Sequence, residues 1–227
     1  MPANCCKTDY DSMFDARTAR RQAESYRKKG AGGTTRRLVE MVKAAGVEGA
    51  SVLDIGGGVE VIGTELLLAG ASSLTDVDAS APYISVATHE LARRGFADRA
   101  TFHHGDFVEL AEELADADIV TLDRVVCCYG DWRALVDRST QRARRLYGLV
   151  YPNERWWIRA GIGLGNLFLR VIGRSFRGYV HPERKIDARI RAAGFEPREH
   201  HRGWIWQTVL YERRAAGGLV RGGDSRM

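Results

Sequence analysis

Cysteine is scarce in this 227-residue chain, and the four that occur form two vicinal pairs, Cys5-Cys6 and Cys127-Cys128. Neighbouring cysteines rarely bridge each other, C-x-x-C spacing is absent, and no histidine sits at ligand spacing beside either pair. A disulfide scaffold is thereby excluded. Reduced thiols in a cytoplasmic protein are expected, with a metal site shared by the two pairs as the rival reading. A long hydrophobic run is missing too. The most apolar segment, Trp156 to Gly173, is interrupted by Arg159, Asn166, Arg170 and several glycines, and it falls short of a membrane span. A segment of this kind packs on its own domain or lies on a membrane surface, so peripheral membrane contact stays open. The start, Met1-Pro2-Ala3-Asn4-Cys5-Cys6, has no apolar signal core, and no secretion is expected. The net charge is +5, but no basic-aromatic motif accompanies it, so no nucleic-acid partner is expected. There is no internal repeat.

What the chain does have is a stretch of high information, Ser51-Val52-Leu53-Asp54-Ile55-Gly56-Gly57-Gly58-Val59-Glu60. A short apolar run ends beside an acid and opens into three glycines. Val61, Ile62, Leu66, Leu67 and Leu68 follow at helical spacing. A strand, a glycine turn and a helix start let backbone approach a ligand closely and aim helix N–H groups at it. The dinucleotide pattern G-x-G-x-x-G fails at Val61, and G-x-x-x-x-G-K-[ST] is absent. A plain nicotinamide or nucleoside triphosphate site is therefore disfavoured.

Short apolar runs recur after this loop, at Ser51–Ile55, Ser73–Val77, Ala100–His104, Ala117–Leu122 and Leu146–Tyr151. Helical runs separate them, at Val61–Leu68, Pro82–Arg94, Phe107–Leu114 and Trp132–Arg144. The alternation predicts an α/β fold, with a mostly parallel, doubly wound sheet covered on both faces. Pro182–Ala193 reads as a helix capped by Gly194. Phe195–His201 and Trp204–Tyr211, separated only by Arg202-Gly203, predict a closing antiparallel hairpin. Ahead of the sheet, residues 1–47 read as a helical lid, broken at Gly30, Gly32 and Gly33. Residues 48–214 form the main domain, and 152–179 are an insert over the substrate side. Residues 215–227, rich in glycine and arginine, read as a disordered tail.

The strand tips carry the chemistry. Asp78 lies about 20 residues after the glycine loop and ends the second predicted strand, where an acid accepts both hydroxyls of a ribose. Asp76 competes for that role. In His103-His104-Gly105-Asp106-Phe107, Asp106 is placed to accept an exocyclic amine of adenine and Phe107 to offer an apolar wall. The fourth strand ends Leu122-Asp123-Arg124-Val125-Val126-Cys127-Cys128-Tyr129-Gly130-Asp131.

With the glycine loop, the ribose acid and the adenine acid in this order on the first three strands, residues 48 to 214 resemble the class I S-adenosylmethionine-dependent methyltransferases. The resemblance implies a Rossmann-like sheet of seven strands and S-adenosylmethionine as cofactor. It implies cofactor contacts from Asp54, Gly56, Gly57, Gly58, Asp78, Ala79, Asp106, Phe107 and Asp123, with no metal. Asp123 is equally placed to pair with Arg124. Short patches, Phe176-Arg177-Gly178-Tyr179-Val180-His181 and Arg27-Lys28-Lys29-Gly30, are similar to magnesium-protoporphyrin O-methyltransferases. The implied reaction is in-line methyl transfer to a small aromatic or apolar molecule under a roof of Trp156, Trp157, Leu167, Phe168 and Phe176. A carboxylate acceptor needs no base. A phenol or amine needs one, and Tyr129 and His181 are the catalytic candidates. The family pattern [DE]-x-G-x-G-x-G breaks at Glu60, where the third glycine belongs. A carboxylate there is expected to crowd and repel the methionine end of the cofactor, or else to turn outward and cap the helix. Two other readings stand beside methyl transfer: a binding or regulatory homologue without turnover, and a nicotinamide oxidoreductase. The amino-methylating nucleic-acid motif Asn/Asp-Pro-Pro-aromatic is absent from the fourth strand.

Overall fold

The computed structural model describes residues 14–214. Cys5, Cys6, the first residues of the expected lid and the expected tail 215–227 lie outside them. Two helices, α1 (Ala16–Lys29) and α2 (Gly33–Ala44), lead into an alternating core. That core runs β1 (Ser51–Ile55), α3 (Val61–Leu68), β2 (Ser73–Asp78), α4 (Ala81–Arg93), β3 (Ala100–His104), α5 (Phe107–Leu110), β4 (Ala117–Asp123), α6 (Trp132–Arg142) and β5 (Ala143–Pro152). The chain continues through α7 (Trp156–Val171) and α8 (Glu183–Ala192) to the strands β6 (Phe195–Arg202) and β7 (Trp206–Arg213).

The seven strands order as β3-β2-β1-β4-β5-β7-β6. The first five are parallel, and β7 runs antiparallel to both β5 and β6. The expected hairpin is present, with a longer connection than Arg202-Gly203. Trp204 and Ile205 belong to the turn, where Gly203 N–H donates to the Trp206 carbonyl at 2.9 Å. After β1 the chain winds outward to β2 and β3, then returns to β4 on the other side. The connections after β1 and β4 therefore diverge and leave a crevice at their carboxyl ends, the usual ligand position on such sheets.

Two apolar layers cover the sheet. Leu53, Val120, Leu122, Tyr147, Leu149 and Phe195 pack under α6 and α8. Val52, Ile119, Leu146, Val150 and Leu210 pack under α2 and α3. The alternation of inward residues along each strand produces this split, because successive side chains point to opposite faces. Leu38, Val39, Met41 and Val42 of α2 lie inside the second layer. Half of the expected lid is thus a wall of the core. Only α1 and Phe14 lie beside the crevice, where Ala19, Ala23 and Phe14 pack with Val59 and Tyr83. Arg27 of α1 pairs with Glu90 of α4 at 2.6 Å, and Tyr26 Oη donates to Glu65 at 3.0 Å.

Candidate functional site

The glycine loop is tied down from below. Gly56 N–H donates to the Val77 carbonyl at 2.8 Å, and Gly56 and Gly58 take the left-handed φ values 66° and 63° that β-carbon-bearing residues avoid. Asp78, at the tip of β2, accepts from Gly58 N at 3.1 Å and from Ser80 N at 2.8 Å. It fixes the loop and the start of α4 together. Burial raises its carboxyl pKa, and those two backbone donors oppose the rise. Ala79 stands between the two anchor points, and its carbonyl lies 3.2 Å from His104 Nε2. Ser80 also reaches the N-terminal segment, its Oγ donating to the Phe14 carbonyl at 2.9 Å.

Below the loop lies a nest of buried acids. Asp54 accepts from Thr121 Oγ1 at 2.7 Å through Oδ1, while its Oδ2 is buried with no protein partner. Burial pushes its carboxyl up to about 7, with Asp123 and Asp78 adding negative charge nearby. Asp76 is fully buried and accepts from Gly57 N at 3.2 Å. Glu60 opens α3 at φ 59°, the backbone a glycine would adopt, and makes no capping hydrogen bond. Neither position expected for its side chain is taken. The carboxyl neither faces the crevice nor turns outward; it points down under the loop with no exposed surface. Glycines make the room. A β-carbon on Gly57 would collide with Glu60 Oε1 and stand 2.8 Å from Asp76 Oδ1, and one on Gly63 would collide with Glu60 Oε2. Both Glu60 oxygens lack a donor in the ionised state. Burial, reinforced by Asp76 and Asp54, raises the Glu60 carboxyl well above its ordinary value. Asp76 is raised by burial in the same way, so both acids under the loop favour their protonated forms, and the Glu60 carboxyl has no surface in the crevice.

Asp106 caps α5, accepting from Val108 N at 2.9 Å. Both of its oxygens also receive the Tyr129 hydroxyl, at 2.8 and 3.0 Å. Phe107 is buried in the core layer beneath. The residues expected as adenine acceptor and as catalytic group are thus hydrogen-bond partners. His181 places Nε2 2.9 Å from the Tyr129 carbonyl, and its ring stacks on Tyr179 at 5.4 Å between centroids. Burial lowers the imidazole pKa, so the ring is neutral and acts as a strut for the loop after β4. Tyr179 N–H donates to the Cys127 carbonyl at 2.7 Å, which lays the returning end of the insert over this loop. Of the expected roof, Phe176 meets Phe14 edge-on at 5.9 Å and Trp157 packs on Trp204 at 5.3 Å. Trp156, Leu167 and Phe168 instead face solvent, because α7 buries only its Ile158 side.

Asp123 is spent on structure. Arg124 Nε reaches its Oδ1 at 3.0 Å, and Thr35 of α2 donates to Oδ2. This triad bolts α2 to the tip of β4. Removing the hydroxyl in Thr35→Val should cost about 1.5–3 kcal/mol, the scale for a bond to a charged group. At about 2–4 °C per kcal/mol for a domain of this size, the thermal midpoint should fall by roughly 3–12 °C. A calorimetric scan checks this, and an unchanged midpoint would mean the triad does not hold α2. Cys127 and Cys128 are reduced thiols with Sγ atoms 3.8 Å apart, too far for a disulfide. Among the described residues no cluster of His, Cys, Asp or Glu could hold a metal, and a metal shared with Cys5 and Cys6 involves residues outside them.

A groove of about 820 Å³ between α6 and α8, lined by Trp132, Asp137 and Arg189, shares none of these residues. The Arg189–Asp137 ion pair crosses it. The acids and glycines converge instead at the carboxyl ends of β1, β2 and β3.

No family model and no curated protein matches the chain. Its fold does match solved structures. The magnesium protoporphyrin IX methyltransferase of Synechocystis PCC 6803, solved with bound S-adenosylhomocysteine, superposes with a TM-score of 0.68 at 21% identity, over 92% of this chain and 100% of that one. An O-methyltransferase family protein from Burkholderia thailandensis gives 0.69 at 16% identity, over 92% of this chain and 64% of that one. A [4+2]-cyclase gives 0.58 at 14% identity, over 78% of this chain and 80% of that one. At these identities the likeness establishes the fold, and the cyclase among the matches is a reminder that one scaffold hosts several chemistries.

Proposed function

We propose that this protein is an S-adenosylmethionine-dependent methyltransferase acting on a small, apolar molecule. The observation that carries this reading is the convergence of the glycine loop, Asp78 and Asp106 at three adjacent strand tips of a methyltransferase-type sheet. The donor set fits that cofactor. Carboxylates at the strand tips suit hydroxyl and amine groups and oppose a pyrophosphate, and Asp54 keeps one buried oxygen without a protein partner beneath the loop. This chemistry separates the reading from a nicotinamide oxidoreductase. It also weakens the case for an inactive homologue, since Glu60 lies under the loop and not in the crevice.

When bound, the cofactor supplies an electrophilic methyl on a sulfonium. The chain's part is placement. Asp78 holds hydroxyls and Asp106 an amine, and the loop after β4 presents the acceptor in line with the methyl. Tyr129 and His181 are engaged with Asp106 and with backbone. An acceptor that is already anionic asks nothing of them, so a carboxylate on an apolar scaffold is the favoured substrate. Isothermal titration with S-adenosylmethionine and NADH, followed by a turnover assay on aromatic and aliphatic carboxylic acids, tests the reading. Binding of NADH alone would refute it.

Asp106→Ala should weaken S-adenosylmethionine and S-adenosylhomocysteine alike, by about ten-fold or more, because both carry adenine. Tyr129→Phe should change either affinity by less than about five-fold, since Val108 N still orients the carboxylate. Loss of only one ligand in the alanine variant would contradict the assignment.

We further assign closure over the crevice to α1 with Phe14 and to the 174–181 segment, which meet through the Phe14–Phe176 contact. Amide exchange in both should slow on cofactor addition, and α2 should stay unchanged. Identical exchange with and without cofactor would refute closure.

A further inference from the structure

The helix α7 is amphipathic in the wrong direction for a helix that packs on its own domain. A surface helix normally turns its apolar stripe inward. Here Ile158 is its one buried side chain, while Trp156, Leu164, Leu167, Phe168, Val171 and the adjoining Ile172 point outward. Trp156 is 80% exposed and Val171 76%. Trp156 lies two turns before Leu164, and from Leu164 to Ile172 the residues recur three and four apart, so they form one continuous stripe. The hairpin turn extends it. Trp204 is 74% exposed, Ile205 is exposed beside it, and Trp204 packs on Trp157 with ring centroids 5.3 Å apart. Two segments distant in sequence therefore build one apolar face, larger than scattered surface residues explain.

Charge decides what fits it. From Arg155 to Arg177 the chain carries five arginines and no Asp or Glu. Arg159 and Arg170 lie along one border of the stripe by helical spacing. The acids that flank the face are already paired, Glu154 with Arg159 and Glu183 with Arg202. An apolar stripe with tryptophans at its end, bordered by arginines and with its flanking acids already paired, matches the boundary between acyl chains and anionic headgroups. None of the described helices is long and apolar enough to cross a membrane. We propose that this face seats the protein on a membrane surface bearing anionic lipids, with α7 lying flat in the interface and the β6–β7 turn inserted beside it. This does not depend on the methyltransferase reading.

The test is co-sedimentation of the full chain with vesicles of phosphatidylcholine alone and of equimolar phosphatidylglycerol and phosphatidylcholine, at low and high salt. The expected result is at least about ten-fold tighter binding to the anionic vesicles, weakened by salt, in keeping with the attraction each arginine contributes near a charged surface. The paired substitution Leu164→Glu with Phe168→Glu should abolish binding, and Arg159→Glu with Arg170→Glu should remove the preference for anionic lipid. All four side chains are exposed, and thermal unfolding of each variant verifies that it is folded. No vesicle binding, or equal binding to both compositions, would overturn the proposal. So would a lipid-free dimer in sedimentation velocity that the Leu164/Phe168 variant dissociates, because a second copy would then be the occupant of the face.

Discussion

Replacing Glu60 with glutamine should stabilise the protein at pH 7.5 and leave it nearly unchanged at pH 5. Glu60, Asp76 and Asp54 all have carboxyl pKa values raised first by burial and then by neighbouring acids, Asp76 and Asp54 acting on Glu60, Asp78 and Asp54 on Asp76, and Asp123 and Asp78 on Asp54. A carboxyl raised in the fold holds its proton there after the unfolded chain has released it. Its contribution is fully present below about pH 4.5 and is lost as pH rises through the folded value. Between pH 5 and 8 the wild-type midpoint should therefore fall. Glutamine keeps the shape and supplies a permanent donor to Asp76, so the variant should lose less over that range. Each tenfold difference in proton affinity between the folded and unfolded chain corresponds to about 1.4 kcal/mol. Removing that penalty should raise the midpoint at pH 7.5, by about 2–4 °C for each kcal/mol. Carboxyls held low by partners, such as Asp118 and Glu65, act in the opposite sense at more acidic pH and confine the window. Melting curves of both proteins from pH 5 to 8 decide it. Parallel curves would show that Glu60 is not the proton holder. Because its carboxyl has no exposed surface, the same variant should bind S-adenosylmethionine within about three-fold of wild type. The repulsion expected from sequence would require a large gain.

Asp78→Ala should have the largest effect on binding. It removes the acceptor proposed for the ribose hydroxyls and also releases Gly58 N and Ser80 N, which it now holds in place. Loss of hydrogen bonds to a charged group costs about 1.5–3 kcal/mol each. A fall of roughly ten- to several-hundred-fold in affinity is expected, for S-adenosylmethionine and S-adenosylhomocysteine equally. Asp78→Asn, which retains an acceptor for one loop amide, should fall between the two. Unchanged affinity in a folded alanine variant would move the ribose contact elsewhere, although Asp76 has no open space to serve from.

The sheet was legible because its signals are local and repeated. Ser51–Ile55, Ala100–His104 and Val61–Leu68 stand at their predicted bounds, and a glycine-rich turn after an apolar run has few structural interpretations. What could not be read depended on partners distant in sequence. The packing of α2 (Gly33–Ala44) against β5 (Ala143–Pro152) and β7 (Trp206–Arg213) is specified by residues far apart in sequence, and Leu38 or Met41 alone does not reveal whether a helix is wall or lid. The direction of Glu60 was hidden in the same way. Its burial needs Gly57 and Gly63 as empty space beside Asp76, and no motif contains all four. Tyr129 and Asp106 each looked like site residues, but their mutual bond was invisible at a separation of 23. For α7 the sequence showed a segment too polar to span a membrane, while only the fold showed that its apolar side faces out.

The packing of Glu60 against two glycines also imposes an order on the protein's past and future substitutions. Gly63→Ala on the present background drives a methyl into the Glu60 carboxyl and within 2.5 Å of Leu74 Cδ2. After Glu60→Gly the nearest clash is gone and the Leu74 methyls are the next to be met, so the second change costs less once the first has occurred. The two substitutions should be strongly non-additive. With the glutamate in place, residue 63 is confined to glycine by a buried carboxyl, and residue 57 is confined twice over, by that carboxyl and by Asp76.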